Sequence, residues 1–483
     1  MNDKKTSSFI SSIFKFSIST WVNTLLYVAA VFLVNIFIDK TLFGMFDLMI
    51  STATTLMSVV TLGFDHAYLR FYKEPPKGIK DSKQIALLGL IVSVATLTIV
   101  STVIFLIPDT IGKVFFEGRN ETILLVSACL TCLAMVVIRF FNICYRVENN
   151  ILKFSLVSIL LQFFIRVFYI FGSFIKKDLN TIVIFNLIGL LLFVTVFFFL
   201  ERKTLLPRRY EIKKEAYAPL FRYSLGIMPS SVLLWGNQLV SKLFVGAILG
   251  DSALGLFSFA SLISYALGIL QGGFATFWSA YMFTNYKTEN ERIKDVHDIL
   301  MLLMMVLMCL LIILSPLIFI ILSSYSGSRE VFGLLLYAPL LMIVAETTVY
   351  GIEIAKKTFL NTISSLICVA TNILFCSILV PRYSIPGAAI SLVASTAAMF
   401  LFRTIMSQKY YRSIRSYLKT TVSLLVMGAL SFASFFFDSN YLLVFSLSVA
   451  ALLFYVFSYM NEVKEILAFI RKTIVNMKTS KEH

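Results

Sequence analysis

Apolar segments of membrane-spanning length follow one another along almost the whole sequence, and no other feature constrains the fold as strongly. A helix needs about 20 mostly apolar residues to cross the hydrocarbon core of a bilayer. The chain is 58% hydrophobic and 14% charged, whereas a soluble domain averages about 25% charged residues. We therefore predict an all-α integral membrane protein with 14 transmembrane helices. The predicted spans are 10–37, 42–64, 84–107, 121–142, 153–175, 181–200, 223–249, 254–282, 298–322, 332–351, 359–380, 387–406, 418–436 and 441–460.

The basic residues are distributed unequally between the two sides of these spans. The formal net charge is +16. With the N-terminus in the cytoplasm, 33 of the 42 Lys and Arg residues fall in cytoplasmic loops and tails, and seven fall in outward loops. This asymmetry follows the positive-inside rule and predicts that both termini are cytoplasmic. We accordingly interpret the basic loops as topology signals that contact anionic membrane lipids, and we expect no nucleic-acid partner.

Short motifs recur at nearly constant offsets. "FKFS" at 14–17 and "FRYS" at 221–224 are 207 residues apart, and "GMF" at 44–46 and "GLF" at 255–257 are 211 apart. Since each copy holds six spans, an even number, the repeat is parallel and any substrate site lies where the two halves meet. We predict two six-helix lobes plus two C-terminal helices, followed by a basic amphipathic tail on the membrane surface. The predicted divisions are the N-terminal lobe 1–200, the cytoplasmic linker 201–222, the C-terminal lobe 223–407, spans thirteen and fourteen 408–460, and the tail 461–483.

Two of the predicted spans carry a cation and an amide near their middle. Gln162 and Arg166 lie four residues apart in span five, and Gln238 and Lys242 repeat that spacing in span seven, beside Asn237. Residues four apart share one face of a helix. A charged side chain at this depth costs at least about 2.5 kcal/mol on insertion scales, so such groups usually face a polar cavity. The pattern predicts a cavity that binds an anion.

The few acidic residues in the spans leave a second interpretation open. The two cations could instead pair with Asp47, Glu346 or Asp251 from other spans, and their role would then be structural. Asp47 and Glu346 are also candidates for coupling transport to an ion, because a buried carboxylate can bind H⁺ or Na⁺. For these carboxylates, pairing with Arg166 or Lys242 is the competing explanation.

Signatures of catalysis are missing from the sequence. It has no G-x-x-x-x-G-K-[ST] loop for nucleotide phosphates. Its three histidines, at positions 66, 297 and 483, have no metal-ligand spacing. We therefore predict a protein that is not an enzyme and that uses no metal and no cofactor.

Three longer segments carry a family resemblance. They are "GMFDLMISTATTLMSVVTLGFDHAYLRFY" at 44–72, its echo "GLFSFASLISYALGILQGGFATFWSAYM" at 255–282, and "PRYSIPGAAISLVAS" at 381–395. With two six-span halves and two extra spans, the chain resembles the polysaccharide transporter family of the MOP superfamily, and most of all its Wzx-type flippases for O-antigen and capsule repeat units. Family members often carry "sxxDrxxL" early in the second lobe. Here Ser241 replaces that acid, and Lys242 keeps the basic position.

The resemblance implies a flippase of the bacterial inner membrane. Such a protein moves undecaprenyl-pyrophosphate-linked oligosaccharides from the cytoplasmic to the periplasmic leaflet by alternating access, coupled to an ion. The polymerase and chain-length proteins of the same pathway are its implied partners. On this interpretation Arg166 and Lys242, one from each half, face each other across a central cleft and meet the phosphates.

Two other classes, and one alternative within the same class, stay open at this point. A multidrug antiporter of the related branch usually has twelve spans and favours acids within the membrane, whereas the deepest charges here are basic. A peptidoglycan-precursor flippase belongs to the same class as the main interpretation. A membrane enzyme such as a repeat-unit polymerase would normally carry a large outward loop, and the outward loops of this sequence are all short.

Overall fold

All regular structure in the described part of the chain is helical, which confirms the predicted fold class. A computed structural model describes residues 22, 25–116, 121–148, 150–207, 210–357, 359–465 and 467. The helices are α1 (Leu25–Phe37), α2 (Lys40–Val60), α3 (Phe64–Phe71), α4 (Lys83–Leu106), α5 (Pro108–Phe116), α6 (Glu121–Val147), α7 (Ile151–Phe163), α8 (Tyr169–Gly172), α9 (Leu179–Leu205), α10 (Lys214–Leu249), α11 (Asp251–Asn285), α12 (Asn290–Ile321), α13 (Arg329–Thr348), α14 (Tyr350–Ile354), α15 (Phe359–Gln408), α16 (Tyr417–Phe436) and α17 (Tyr441–Ser458). A π-helical turn (Phe164–Phe168) joins α7 to α8, and a 3₁₀ turn (Ser323–Ser328) precedes α13.

Within these described ranges, 12 helices are long and apolar enough to cross a membrane. One of them, the 50-residue α15, holds two of the predicted spans, and its backbone leaves the helical region at Ser384 (φ 55°, ψ −135°). Arg403 donates to Asn361 at 3.3 Å although the two residues are 42 positions apart. A straight helix would separate them by about 63 Å, so α15 is a hairpin of two antiparallel arms.

The first predicted span, 10–37, is described as a helix only over Leu25–Phe37. The count of fourteen spans therefore stays a prediction. The predicted amphipathic tail, 461–483, lies outside the described residues apart from 461–465 and 467.

The outer faces of the helices are apolar, as a lipid environment requires. Large aliphatic side chains are exposed on several different helices, among them Leu152 at 85%, Leu200 at 76%, Leu442 at 74% and Ile320 at 72%. Contiguous exposed apolar surface on this scale marks contact with a membrane rather than with water. The chain is thus a multi-pass membrane protein.

Helix α2 packs against helices of both predicted lobes. It contacts α6 of the predicted N-terminal lobe, and it also contacts α10 and α11 of the predicted C-terminal lobe. Helices α4 and α9 pack against α6, whereas α15 packs against α10 and α13, and α16 and α17 pack against α12. The division into two lobes remains a prediction, and under that division α2 makes the most extensive contact between them, while α3 and α5 also contact α10.

The N-terminal ends of α2 and α11 meet backbone to backbone at two glycines. A Cβ atom added to Gly44 would lie 2.6 Å from the backbone nitrogen of Gly255, and one added to Gly255 would overlap the carbonyl group of Lys40. These glycines open the repeated motifs "GMF" and "GLF". Positions that the predicted repeat makes equivalent therefore touch each other. Phe43, Phe259 and Tyr325 pack beside them, with the last two rings stacked 4.0 Å apart.

Candidate functional site: a cationic cavity between the helices

A cavity of about 550 Å³ lies between α2, α7, α10, α11, α13 and α15, and it begins one turn beyond the paired glycines. The structure brings together at this cavity all the residues that the sequence predicts for substrate binding. They are Gln162, Arg166, Asn237, Gln238 and Lys242. Asp47 lines the same cavity. This volume falls within the range of small-ligand pockets, about 300–1,000 Å³.

Both predicted cations meet a single carboxylate. The Nζ atom of Lys242 lies 2.6 Å from Oδ2 of Asp47 and 2.6 Å from the hydroxyl group of Ser51. A guanidinium nitrogen of Arg166 lies 3.6 Å from Oδ1 of Asp47, and the guanidinium group also sits 5.0 Å from the centre of the Tyr27 ring. Two positive charges thus share one negative charge, which leaves a formal charge of +1 on the cluster.

Arg166 reaches the cavity from the π-helical turn. A π turn inserts an extra residue into a helix and re-aims the side chains around it, and such turns are frequent at functional sites. The π turn changes the pattern of backbone hydrogen bonds. The side-chain amide of Asn186 on α9 donates to the carbonyl oxygen of Phe164 at 2.6 Å. Asn186 is buried. It therefore stabilises the turn that points Arg166 into the cavity.

Helix α10 holds Lys242 through a buried polar contact with α15. The side-chain amide of Asn372 donates to the backbone carbonyl of Asn237 at 2.7 Å and to the hydroxyl group of Ser241 at 3.0 Å. Cys376 lies on the same face of α15, with its sulfur 3.3 Å from Oδ1 of Asn372. Ser241, which replaces the acid of the family pattern, is thus enclosed in a neutral hydrogen-bonded cluster.

Three of the cavity residues that the sequence predicts keep a buried polar atom without a protein partner in the described part of the chain. These atoms are Oε1 of Gln162, Nε of Arg166 and Oδ1 of Asn237. Buried polar groups are nearly always hydrogen-bonded, so their partners are expected to be water or a ligand. The free donors and acceptors belong to residues that the sequence assigns to the cavity.

Glu346, the other candidate for ion coupling, connects to the cavity indirectly. Its carboxylate accepts a hydrogen bond of 2.8 Å from Gln271, which lines the cavity. Within the described ranges no Lys, Arg or His nitrogen lies within 4 Å of it. Arg403 is near enough to interact electrostatically with both Glu346 and Glu353. Glu346 is therefore less strongly paired than Asp47.

The structure combines the two alternatives that the sequence left open, an anion-binding cavity and a structural ion pair. Of the three carboxylates considered as partners for the cations, Asp47 contacts both of them, yet the same cations line an open cavity. Among the polar lining residues that sequence reasoning missed are Tyr27, Ser51 and Gln271. Ser51 follows Asp47 by four residues and was predictable from helical spacing, and Gln271 was visible as an amide within span eight. Tyr27 gives no comparable signal.

The described residues contain no group of three or more His, Cys, Asp or Glu side chains that could hold a metal ion.

Comparisons with known proteins agree with this architecture. The family model described as "Polysaccharide biosynthesis protein" matches residues 10–283. The lipid II flippase MurJ in an inward closed conformation has a similar structure, with a TM-score of 0.69 and 16% identity over 93% of this chain and 99% of that one. A mutant of the Vibrio cholerae MATE transporter VcmN gives a TM-score of 0.52 and 11% identity over 86% and 99% of the two chains. A search of curated proteins found no match.

A further multidrug resistance MATE family transporter of the MOP superfamily, in an inward-facing conformation, gives a TM-score of 0.50. It is 14% identical over 85% of this chain and 95% of that one. At these levels of identity the similarity establishes the fold, which is that of MOP-superfamily transporters.

Proposed function

The chain belongs to the polysaccharide biosynthesis protein family, and we propose that it is a flippase for a lipid-linked oligosaccharide. The proposed substrate is an O-antigen or capsule repeat unit on undecaprenyl pyrophosphate, moved from the cytoplasmic to the periplasmic leaflet by alternating access. One observation carries the proposal. Two cations, from helices in different halves of the chain, meet in a membrane cavity where a single carboxylate balances them incompletely.

The chemistry of the cavity suits a pyrophosphate that bears sugars. Arginine offers a planar fork of donors to phosphate oxygens, and lysine offers a compact charge. Beyond the cations, the lining includes the amides of Gln238 and Gln271 and the aromatic rings of Trp235 and Tyr265. Amides and aromatic faces are groups that bind sugar hydroxyls and ring faces. The volume of about 550 Å³ accommodates a headgroup with its first sugars, while the polyprenyl chain remains in lipid.

We further propose the cellular setting that the charge distribution favours. The protein resides in the bacterial inner membrane with both termini in the cytoplasm. Glu346 and Asp47 are the candidates for coupling transport to H⁺ or Na⁺. Partners that make or use the glycan, such as a polymerase and chain-length proteins, act on the same pathway.

A peptidoglycan-precursor flippase is the second candidate, and the fold similarity to the lipid II flippase MurJ favours it. Both candidate substrates are lipid pyrophosphates, so the cation pair serves either. A multidrug antiporter is less well supported, because a cavity with a formal charge of +1 repels the organic cations that intramembrane acids attract.

The experiment that tests the proposal is deletion of the gene, followed by identification of the lipid-linked glycan that accumulates in the cytoplasmic leaflet. An O-antigen or capsule repeat unit is expected, whereas a peptidoglycan precursor would favour the second candidate. If no lipid-linked glycan accumulates, the flippase proposal is wrong.

Complementation with variants then tests the site. Arg166→Ala and Lys242→Ala should fail to restore transport at normal membrane abundance, and Arg166→Lys should restore much of it because charge matters more than shape. Lys176→Ala is the matched control, since it removes a cation that is 75% exposed and distant from the cavity. If Arg166→Ala transports normally, or fails only because the protein does not accumulate, Arg166 has a structural role.

A further inference from the structure

We propose that Asp47 is an internal counter-anion that the headgroup of the substrate displaces from Lys242. The inference rests on the proposed function and adds a regulation of the same site. The carboxylate holds the cations together when the cavity is empty, and it competes with the anionic substrate for them.

The geometry shows that the two anions need the same donors. Lys242 is buried, and its ammonium group already contacts Asp47 and Ser51 at 2.6 Å each. A phosphate oxygen that enters the cavity can reach the ammonium group closely only if Asp47 moves away. Asp47 is itself buried, and Arg166, Lys242, Ser258 and Tyr169 surround its carboxylate.

The cluster formed with Asp47 alone does not satisfy all of its donors. Asp47 supplies one negative charge to two cations, and within the described residues no other carboxylate lies within 4 Å of either cation. Nε of Arg166 is buried without a partner in that same part of the chain. A pyrophosphate carries more charge and more acceptor oxygens than a carboxylate, so it satisfies the two cations more completely.

Displacement also changes the contact between the halves of the chain. Asp47 lies on α2 and Lys242 on α10, which belong to different predicted lobes and are 195 residues apart in sequence. When the headgroup takes the place of Asp47, the direct ion pair between these helices is broken. Substrate binding is thereby coupled to the freedom of the lobes to move, and release of the substrate re-forms the pair.

The test measures binding of inorganic pyrophosphate to the purified full-length protein in lipid nanodiscs. Asp47→Asn keeps the shape of the side chain and removes the competing charge, so the Kd should fall by at least about tenfold, a size typical of close charge pairs. Asp65→Asn is the matched control. It removes the same charge from a carboxylate that pairs with Arg139, 2.9 Å away and outside the cavity, so the Kd should not change.

A second measurement on the wild-type protein covers the case in which Asp47→Asn does not fold. Carbodiimide modification of Asp47, quantified by mass spectrometry, should increase severalfold when pyrophosphate is bound, because the carboxylate is then free of Lys242. Protection of Asp47 by pyrophosphate would overturn the inference. An equal or weaker affinity in Asp47→Asn would overturn it as well.

The same data separate this inference from the proposed function. If wild-type binding is lost in Lys242→Gln but Asp47→Asn binds no tighter, the anion site stands and the displacement is wrong. If Lys242→Gln binds pyrophosphate as the wild type does, the cavity is not the anion site, and the proposed function fails together with the inference.

Discussion

Replacement of Gly255 by alanine should destabilise the junction between α2 and α11. Gly255 packs against the backbone of Lys40, and an added Cβ atom would overlap its carbonyl group. The neighbouring atoms belong to the backbone of another helix, so no flexible side chain can move aside to make room. The two helices would have to separate at the end of the cavity where the repeated motifs meet.

The size of the effect follows from a comparison of two glycines. Alanine is favoured over glycine inside any helix by up to about 1 kcal/mol. At Gly226 on α10 this gain should appear alone, because no atom lies within 4 Å of an added Cβ. At Gly255 the same gain is offset by overpacking, which costs about 1–3 kcal/mol in well-packed sites. The difference between the two variants therefore isolates the overpacking cost of about 1–3 kcal/mol.

Thermal unfolding of the purified variants measures this difference, with the fluorescence of the buried Trp278 as one reporter. Gly226→Ala should unfold at or above the wild-type temperature, and Gly255→Ala should unfold clearly below it. Transport should also fall in Gly255→Ala, because alternating access requires this end to close in one state. If Gly255→Ala unfolds at the same temperature as Gly226→Ala or higher, the contact between Gly255 and the backbone of Lys40 does not restrict the side chain at position 255.

Three further predictions concern the site and the topology. Asn186→Leu removes the donor to the Phe164 carbonyl and leaves it buried without that bond, so the protein should lose about 1–3 kcal/mol of stability, and transport should fall with it; unchanged thermal unfolding would contradict this. If Glu346 binds the coupling ion, Glu346→Gln should insert normally but lose the response of transport to an imposed H⁺ or Na⁺ gradient in proteoliposomes, and an unchanged response removes Glu346 from coupling. A reporter fused after His483 should be active in the cytoplasm, and activity restricted to the periplasm would refute the predicted topology.

The membrane helices were predictable because their signal is local. A run of about 20 apolar residues specifies a span without reference to the rest of the chain. Helix α12 nevertheless begins at Asn290, eight residues before the predicted span at 298, because polar residues continue a helix beyond the bilayer. The hairpin of α15 was also predicted as two spans, 359–380 and 387–406, from its two apolar runs. In the structure, Pro381 and Pro386 flank the turn at Ser384.

The contacts of the site were predictable only in part. Helical spacing placed Gln162 with Arg166 and Gln238 with Lys242, and all four line one cavity. The spacing could not select Asp47 as the shared partner of the cations, because that choice depends on how α2 packs against α10. The π turn at Phe164–Phe168 contains neither proline nor glycine. Its stabilising partner, Asn186, is 22 residues away from Phe164, so no local sequence pattern indicates the turn or its partner.

The predicted repeat offers an account of the positive charge of the cavity. The offset of 211 residues that relates Gly44 to Gly255 also relates Asp47 to Ser258, and both of these residues line the cavity. Under the predicted repeat the carboxylate occurs in one copy alone, and the cluster with Arg166 and Lys242 keeps a formal charge of +1.

Ser258→Asp should therefore cancel that charge. A second carboxylate in the cavity would compete for both cations and repel an anionic headgroup, so pyrophosphate binding should weaken by about tenfold or more. Ser258→Asn, of nearly the same size and without charge, is the control and should bind far more tightly than the aspartate variant. Equal affinities for the two variants would show that net charge does not select the substrate of this cavity, and shape and hydrogen bonding would then have to account for it.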